Sequence, residues 1–252
     1  MTPLIVAVFD RLHARFFDID DAGVRELDCL ASRGMRGGKF HSDRQGSPGW
    51  GERGYQQRVR EDTKRHLVAV ARRLAALERR RPIRDLLLAA PGGIAGTIKS
   101  VLPPAVAARV IGTARLNPTE LTHAAVHRAA RASVGRRERD AEAALLRELQ
   151  DGLGTGKSVN GVRETLRALA KGQVHTLLVR PGLLPEGFRC AASGRLVPSR
   201  ADCRGEGDAV PVLDLVGAAS EEAVRQRGTV VTARSTALAR EIDGLAALLR
   251  FQ

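Results

Sequence analysis

The amino-acid sequence predicts a mixed α/β protein composed of two α/β sandwich domains. Three observations lead to this class: a chain of 252 residues that is 43% hydrophobic, apolar runs of strand length, and longer segments with the helical period. Strand and helix patterns alternate along both halves of the chain, as they do where helices cover a sheet. The apolar runs are extensive enough to exclude an intrinsically disordered chain.

Strands begin the first predicted domain, residues 1–117. Two apolar runs, Leu4–Phe9 and Ala14–Ile19, are separated by a short polar segment, which predicts a hairpin, and Val24–Leu30 is a candidate third strand. Residues 34–54 then contain seven glycines and one proline. This composition excludes regular structure, and the length is typical of a functional or disordered loop.

A long amphipathic helix is predicted from about Arg53 to Arg81. One face carries apolar residues at steps of three and four positions: Leu67, Val70, Leu74 and Leu77. The opposite face carries an arginine at every seventh position: Arg58, Arg65, Arg72 and Arg79. We therefore expect one face to pack on a sheet while the other presents guanidinium groups to solvent.

Shorter elements complete the first domain. Pro82 ends the long helix, because proline interrupts helical hydrogen bonding. Strands are predicted at Asp85–Ala90 and Val110–Leu116, and two helical segments, Ile94–Ser100 and Pro104–Ala108, lie between them.

The second predicted domain, residues 118–252, begins with another long helix that runs to about Leu153. Thr119 and Thr122 are both candidate caps for its first turn. The remaining elements alternate: helix Val162–Ala170, strand Val174–Val179, loop Pro181–Asp208, strand Val210–Leu213, helix Ser220–Arg227, strand Thr229–Ala233, helix Leu238–Ile242 and strand Ala246–Phe251.

Positive charge is concentrated in one part of the chain. The formal net charge is +13, and residues 33–84 alone contain thirteen Arg and two Lys against five acidic residues, a net charge of +10. A concentration of this kind is typical of nucleic-acid binding, because cations that neutralise phosphates release condensed counterions. The alternative is that the arginines reflect compositional bias and cover a solvated face.

Membrane and export signals are not found in the sequence. No stretch approaches the ~20 apolar residues of a transmembrane helix, and the apolar start of the chain lacks the basic segment of a signal peptide. Three cysteines in a chain of this length do not form a disulfide framework. We therefore expect a cytoplasmic protein with a polyanionic partner.

Both the single Trp and the single Tyr, Trp50 and Tyr55, lie in the basic glycine-rich segment. Glycines allow close approach of the backbone, arginines pair with phosphates and aromatic rings stack on unpaired bases, so the segment predicts RNA contact. The alternative is that Trp50 folds back on the helix as an anchor.

Two other motifs do not carry chemistry. Residues 152–158 resemble a phosphate-binding loop but have Asp151 where the first glycine is required and follow a helix pattern, so we interpret them as a helix C-cap followed by an N-cap at Ser158. His123 and His127, four positions apart, have no partner ligand in the sequence, and we predict neither a metal nor a cofactor.

The cysteines also lack the pattern of a metal site. Cys190 and Cys203 have no further Cys or His nearby, so two free thiols are the expectation and a disulfide is the alternative. Cys29 lies in an apolar strand pattern and is expected in the core.

Three segments resemble the archaeal and eukaryotic class-I release factor and Pelota superfamily, in its bacterial branch. Trp50–Arg53 continuing into Lys64-Arg65-His66 is similar to the Gly-Gly-Gln loop and basic helix of the family's central domain. Gly172–Val179 is similar to a strand of its C-terminal domain, and Gly244–Phe251 to its terminal strand. The resemblance covers nearly the whole chain and is most specific at the terminus.

The resemblance implies a fold for each domain. Residues 1–117 would be a release-factor central-domain-like unit with the basic glycine-rich loop 34–54. Residues 118–252 would be a C-terminal, ribosomal-protein-like α/β domain of the kink-turn-binder type. The chain begins with the central domain's hairpin, so we expect no codon-reading domain and no stop-codon recognition.

Departures from the family pattern bear on activity. Aligned from Lys64 without gaps, the family's Gly-Gly-Gln falls on Trp50-Gly51-Glu52, and a Glu52 carboxylate has no N–H to donate. A different threading would place Gln45, Gln56 or Gln57 at the tip. The expectation is therefore a non-enzymatic factor that binds the ribosome near the A site in hibernation or rescue, with release of peptide from tRNA on stalled ribosomes as the alternative.

The resemblance and the charge pattern together define the expected partners and contacts. The partner is the ribosome, through rRNA and possibly tRNA, with a loading translation factor as a further candidate partner. The expected RNA-binding residues are Arg36, Lys39, Arg44, Trp50, Arg53, Tyr55, Arg58, Arg60, Lys64, Arg65 and Arg72. A protein that retained only the fold and left the ribosome is the third hypothesis.

Overall fold

The computed structural model describes residues 3–32, 50–182 and 186–251, and in residues 50–55 it describes the backbone alone. It is a mixed α/β structure, as the sequence predicts. Packing divides the chain into two compact units, Met1–Arg137 and Glu138–Gln252. This division lies inside a helix, twenty residues beyond the boundary that the sequence pattern suggested after residue 117.

The first unit contains a five-stranded mixed sheet. Its strands are β1 (Leu4–Phe9), β2 (His13–Asp20), β3 (Gly23–Ala31), β4 (Asp85–Ala89) and β5 (Val110–Ala114). They lie in the order β3-β2-β1-β4-β5, in which β1, β4 and β5 are parallel and β2 is antiparallel to both of its neighbours. The predicted hairpin and the third strand are thereby confirmed.

Helices cover both faces of this sheet. They are α1 (Trp50–Arg80), α2 (Ile94–Thr97), a 3₁₀ turn at Ile98–Val101, α3 (Pro104–Ala107), a 3₁₀ turn at Pro118–Glu120, and the first part of α4 (His123–Leu153). Thr122, one of the two predicted caps, accepts the backbone N–H of Ala125 at 3.2 Å. Helix α1 begins at Trp50, so the prediction that residues 50–54 lack regular structure is wrong.

Alternation along the strands separates two apolar cores. Leu67, Val70 and Leu74 of α1 are buried against one face of the sheet, which confirms the predicted packing face, and Leu77 is partly buried beside them. The other face packs against Val126 and Ala130 of α4. The neighbouring residues Phe16 and Phe17 enter opposite cores because successive side chains of a strand point to opposite faces.

The second unit contains two sheets. The four-stranded sheet has the order β11-β7-β12-β6, and the small antiparallel sheet has the order β10-β8-β9. Their strands are β6 (Ser158–Asn160), β7 (Val174–Val179), β8 (Gly187–Cys190), β9 (Leu196–Val197), β10 (Ala209–Val212), β11 (Thr229–Thr232) and β12 (Leu245–Leu249). The helices are α5 (Val162–Ala170), α6 (Leu215–Arg225), α7 (Thr236–Glu241) and a 3₁₀ turn at Arg200–Cys203.

The predicted loop Pro181–Asp208 and the two free thiols are both wrong. Strands β8 and β9 lie within that range, and a disulfide joins Cys190 of β8 to Cys203 of the 3₁₀ turn. The disulfide packs with Phe188, Val197 and Ala209 as a small separate core. Strands as short as these carry too little hydrophobic alternation for a sequence pattern to reveal them.

Three local expectations also require correction. Cys29 is exposed on the edge strand β3 rather than in the core. Ser158 does not cap a helix; it begins β6 and donates its hydroxyl to the Leu149 carbonyl at 2.7 Å. Gly152 packs against this serine so closely that a Cβ would lie 2.6 Å from its Oγ, which accounts for part of the glycine-rich motif without a bound phosphate.

Helix α6 begins five residues earlier than the predicted Ser220. Asp214 caps it by accepting the backbone N–H of Gly217 at 2.7 Å, and an added Cβ on Gly217 would collide with that carboxylate. Within the described residues, none of the helices is both long and apolar enough to cross a bilayer.

Candidate nucleic-acid interface

Helix α1 presents a cationic face on the side opposite its packing contacts. The predicted row is confirmed as an exposed surface, since all four of its members are exposed: Arg58, Arg65, Arg72 and Arg79. A helix that buries one apolar stripe turns residues half a turn away toward solvent, so the row follows directly from the sequence spacing.

Intramolecular ion pairs use only some of these cations. Arg65 pairs with Asp62 at 2.9 Å, and Arg73 pairs with Asp28 of β3. Arg72 and Arg79 form no ion pair with the described part of the chain. These guanidinium groups therefore keep their donors available for an external anion.

A buried carboxylate secures the end of α1 to the sheet. Asp18 of β2 is 1% exposed and accepts Arg25 at 3.0 Å and also Arg81, which follows α1. Glu78 accepts the backbone N–H of Ile83 at 2.6 Å and so stabilises the exit from the helix. The arginine face is thus carried on a helix that is held at its C-terminal end.

The N-terminal half of α1 borders a cavity of about 570 Å³. Three cations line it, Arg60 and Lys64 of α1 and Arg11 from the turn between β1 and β2. Val59, Leu67, Ile94 and Val101 form its apolar lining. No carboxylate is among the described residues that line the cavity, so its electrostatic character is positive.

The turn that holds Arg11 is fixed by Asp10. One Asp10 carboxylate oxygen accepts the backbone N–H groups of Leu12 at 2.7 Å and His13 at 2.6 Å. Burial raises the pKa of Asp10, but these two hydrogen bonds and His13 outweigh burial, and the net pKa is lowered. The carboxylate stays ionised and keeps the turn closed, with the exposed Arg11 side chain at its tip.

His66 is a buried residue of α1 itself. Its ring is 1% exposed, and Nδ1 lies 2.7 Å from the Ser32 hydroxyl. Burial lowers its pKa, with His13 acting in the same direction, against smaller opposing effects of the His13 backbone and Asp10. The His66 of the Lys-Arg-His segment is therefore a core residue, while Lys64 and Arg65 are exposed.

The structure locates the remaining predicted site residues unevenly. Arg36, Lys39, Arg44 and Gln45 lie outside the described residues. The backbone of Trp50, Glu52, Arg53 and Tyr55 lies in the first turns of α1. Gln56 and Gln57 are exposed in the following turn, and of these two only Gln56 lines the cavity.

Arg11 is a functional candidate that the sequence analysis missed. In the sequence, Arg11 lies in the tight turn directly after the first apolar strand pattern. That position indicates a site only once the structure shows that β1 and β4 are parallel neighbours. Among the described residues, no cluster of three or more His, Cys, Asp or Glu side chains is arranged to hold a metal ion.

Comparison with known proteins identifies the family. The family model described as bacterial archaeo-eukaryotic release factor family 10 matches residues 2–134, more than half of the chain. The chain belongs to this family. The family 10 match contains α1 and every residue that lines the cavity.

Solved structures with a similar fold extend over almost the entire family 10 chain. The archaeal Pelota in a model of ribosome-bound Pelota and ABCE1 is 18% identical over 98% of this chain and 61% of that chain, with a TM-score of 0.55. Dom34 of S. cerevisiae, a translation termination-like factor in RNA quality control that interacts with Hbs1, is 11% identical over 98% of this chain and 63% of that chain, with a TM-score of 0.55.

These structural similarities show a shared fold, and the family 10 chain spans less than two thirds of the length of the Pelota and Dom34 chains. Among curated proteins, none matches the sequence.

The two C-terminal segments on which the resemblance rested pair directly in the fold, since β7 and β12 are antiparallel neighbours with Val179 opposite Leu245.

Proposed function

We propose that this family 10 protein is a cytoplasmic, ribosome-associated translation factor. It binds rRNA or tRNA near the A site during hibernation or rescue. The observation that carries the proposal is the exposed arginine face of α1, a helix that keeps an excess of positive charge although Arg65 pairs with Asp62. Membership of a release-factor family supports the choice of the ribosome as the polyanion.

The chemistry of the arginine face suits a phosphate backbone. Guanidinium groups pair with phosphate oxygens through two hydrogen bonds, and each neutralised phosphate contributes counterion release. About two helical turns separate each arginine of the face from the next: Arg58, Arg65 and Arg72. They therefore lie on one side of α1, which can follow one groove or strand of RNA. In this proposal Arg53, Arg60 and Lys64 extend the contact toward the helix N-terminus.

The glycine-rich segment 34–54 completes the proposal. Its cations Arg36, Lys39 and Arg44 approach the peptidyl transferase centre or the tRNA acceptor end, where Trp50 and Tyr55 stack on unpaired bases. Because the similar archaeal and yeast proteins are described with ABCE1 and Hbs1, we include a loading or partner translation factor in the proposal.

Co-sedimentation with purified ribosomes tests the arginine face. The triple variant Arg58→Glu, Arg65→Glu, Arg72→Glu should lose co-sedimentation at low salt. For wild-type protein, the logarithm of the affinity should fall with the logarithm of salt concentration with a slope of about −2 to −3 or steeper, the value for three or more phosphates.

The matched control is a triple substitution on α4, Arg128→Glu, Arg131→Glu, Arg136→Glu. These arginines are exposed on a helix of the same unit, and the change in charge is identical. The control should still bind. Equal loss of ribosome binding in both triple variants would show that net charge alone causes the effect. Ribosome binding by the α1 triple variant would overturn the proposal.

Hydrolysis of peptidyl-tRNA on stalled ribosomes is the second candidate function, and the position of Gln56 favours it. This side chain lines the cationic cavity, whereas its neighbour Gln57 does not. Release of labelled peptide from a defined stalled complex should then fall in Gln56→Ala and persist in Gln57→Ala, with Gln45→Ala as the third variant. No release above background with wild-type protein would eliminate this candidate.

A further inference from the structure

The cationic cavity lies where open α/β sheets commonly bind ligands. Strands β1 and β4 are parallel neighbours, and the cavity lies beyond their carboxyl ends. Arg11 follows β1, Ile94 and Thr97 follow β4, and α1 forms the remaining wall. In sheets of this type the crevice outside the carboxyl ends of the strands is the preferred ligand position.

The α1 wall of the cavity is a continuous stripe. Positions 56, 59, 60, 63, 64 and 67 recur at steps of three and four and line the cavity together. Only Leu67, at the inner end, is fully part of the apolar core. The stripe continues the packing face of α1. Beyond Leu67, its residues border the cavity and not another of the described helices or strands.

Its chemistry is that of an amphiphilic anion site. No ion pair within the described residues engages Arg11, Arg60 or Lys64, so their donors are available. The hydroxyls of Thr63 and Ser100 already donate to backbone carbonyls, at 2.7 and 2.9 Å. The cations therefore supply the donors for an anion, while Val59, Ile94 and Val101 supply an apolar surface.

We propose that this cavity binds one nucleotide unit of a single-stranded RNA segment. The phosphate lies against Arg11, Arg60 and Lys64, and the base lies against the aliphatic lining. The volume of about 570 Å³ is within the range of about 300–1,000 Å³ of small-ligand pockets. The inference rests on the proposed RNA partner. It adds to the arginine face a defined pocket in which Arg11 is a new phosphate-binding residue.

Binding to the full chain in solution tests the cavity without ribosomes. Fluorescence anisotropy of labelled hexa-adenylate is measured for wild-type protein, with AMP, adenosine and inorganic phosphate as competitors. Hexa-adenylate should bind saturably and AMP should displace it, while adenosine and inorganic phosphate should be at least about tenfold weaker, because each lacks half of the interaction.

Two kinds of variant separate the cavity from general surface charge. Arg11→Ala should weaken both hexa-adenylate and AMP by about tenfold or more, the loss of a charge-assisted hydrogen bond, whereas Lys99→Ala, an exposed cation on the neighbouring 3₁₀ turn, should bind like wild type. Thr97→Trp keeps every cation but fills the cavity and should abolish AMP binding. Circular dichroism of each variant confirms folding, and Ser100→Trp replaces Thr97→Trp if that variant is unfolded.

Each outcome decides the inference. Equal displacement of hexa-adenylate by AMP in the filled and wild-type cavities would overturn it, as would the absence of saturable hexa-adenylate binding to the wild-type protein. Saturable binding that depends on Arg11 and on an open cavity supports it. This result is independent of ribosome co-sedimentation, so an intact cavity with no ribosome binding would remove the proposed function alone.

Discussion

The two longest of the described helices have the same length but differ in net charge. Helices α1 and α4 each contain 31 residues. In α1, nine Arg and Lys residues accompany four acidic residues, while in α4 six Arg residues accompany five acidic ones. The net formal charges are therefore +5 and +1.

Both helices commit part of their charge to internal contacts. On α4, Arg137 pairs with Asp85, Glu138 pairs with Arg234 at 2.8 Å, and Glu142 holds a backbone turn. On α1, Arg65 pairs with Asp62 and Arg73 pairs with Asp28, while Arg72 faces solvent. Each helix thus commits some arginines to internal ion pairs and leaves others exposed, so the larger net positive charge of α1 is what distinguishes it as the candidate binding surface.

The largest expected effect on stability separates the two faces of α1. Leu74→Ala should lower the free energy of unfolding by about 2–5 kcal/mol, because this side chain is fully buried and its removal leaves a cavity. Arg72→Ala should change it by less than about 0.5 kcal/mol, since the residue is exposed. Urea unfolding followed by circular dichroism measures both; a similar cost for Arg72→Ala would mean that the arginine face has a structural role.

A smaller loss is expected when α4 loses its buried carboxylate. Glu142 accepts the backbone N–H groups of Arg234 and Ser235, one on each oxygen, both at 2.7 Å. Glu142→Gln has one acceptor oxygen, so one N–H loses its partner at a cost of about 1–3 kcal/mol. The exposed Glu148→Gln on the same helix is the control and should unfold like wild type in thermal scans.

The pH dependence of Glu142 has a definite sign. Burial raises its pKa, but the hydrogen bonds from Ser235 and Arg234 outweigh burial, and the net pKa is lowered. A carboxyl group whose pKa is lower in the folded state stabilises the protein at pH values above its unfolded-state pKa. That contribution is lost as pH falls through the folded-state pKa. The difference in the free energy of unfolding between wild type and Glu142→Gln should therefore become smaller below about pH 4.5.

The smallest effect concerns His66, the buried histidine of α1. Because burial lowers its pKa, the unfolded chain binds the proton more readily, and stability should decline as pH falls below about 6.5. His66→Phe should lack this decline between about pH 6.5 and 5, above the range in which carboxylates titrate. Parallel pH curves for both proteins in urea unfolding would show that His66 does not titrate as its burial indicates.

The sequence predicted the elements whose patterns are long and regular. Helix α5 and strand β7 have the predicted bounds, and the buried and exposed faces of α1 follow from the periods of Leu67, Leu74 and Arg72. Long periodic stretches repeat the same signal many times, which makes their type and orientation legible without tertiary information.

Features that depend on contacts between distant segments could not be predicted. The disulfide between Cys190 and Cys203 requires the small sheet that brings them together, and the exposure of Cys29 follows from the edge position of β3. The cavity likewise joins Arg11 to Lys64 and Thr97, three segments that only the parallel pairing of β1 and β4 makes neighbours. Site residues on one helix were visible in the sequence, and a site assembled from several elements was not.

Directed hydroxyl-radical cleavage tests the central claim most directly. Iron-EDTA is tethered to Cys at Arg72→Cys on α1 or Arg131→Cys on α4, both exposed, in a Cys29→Ser background that removes the free exposed thiol. On purified ribosomes, position 72 should cleave rRNA near the A site while position 131 gives at most weak cleavage. Equal cleavage from both helices, or none from position 72, would contradict the assignment of the arginine face of α1 as the RNA-binding surface.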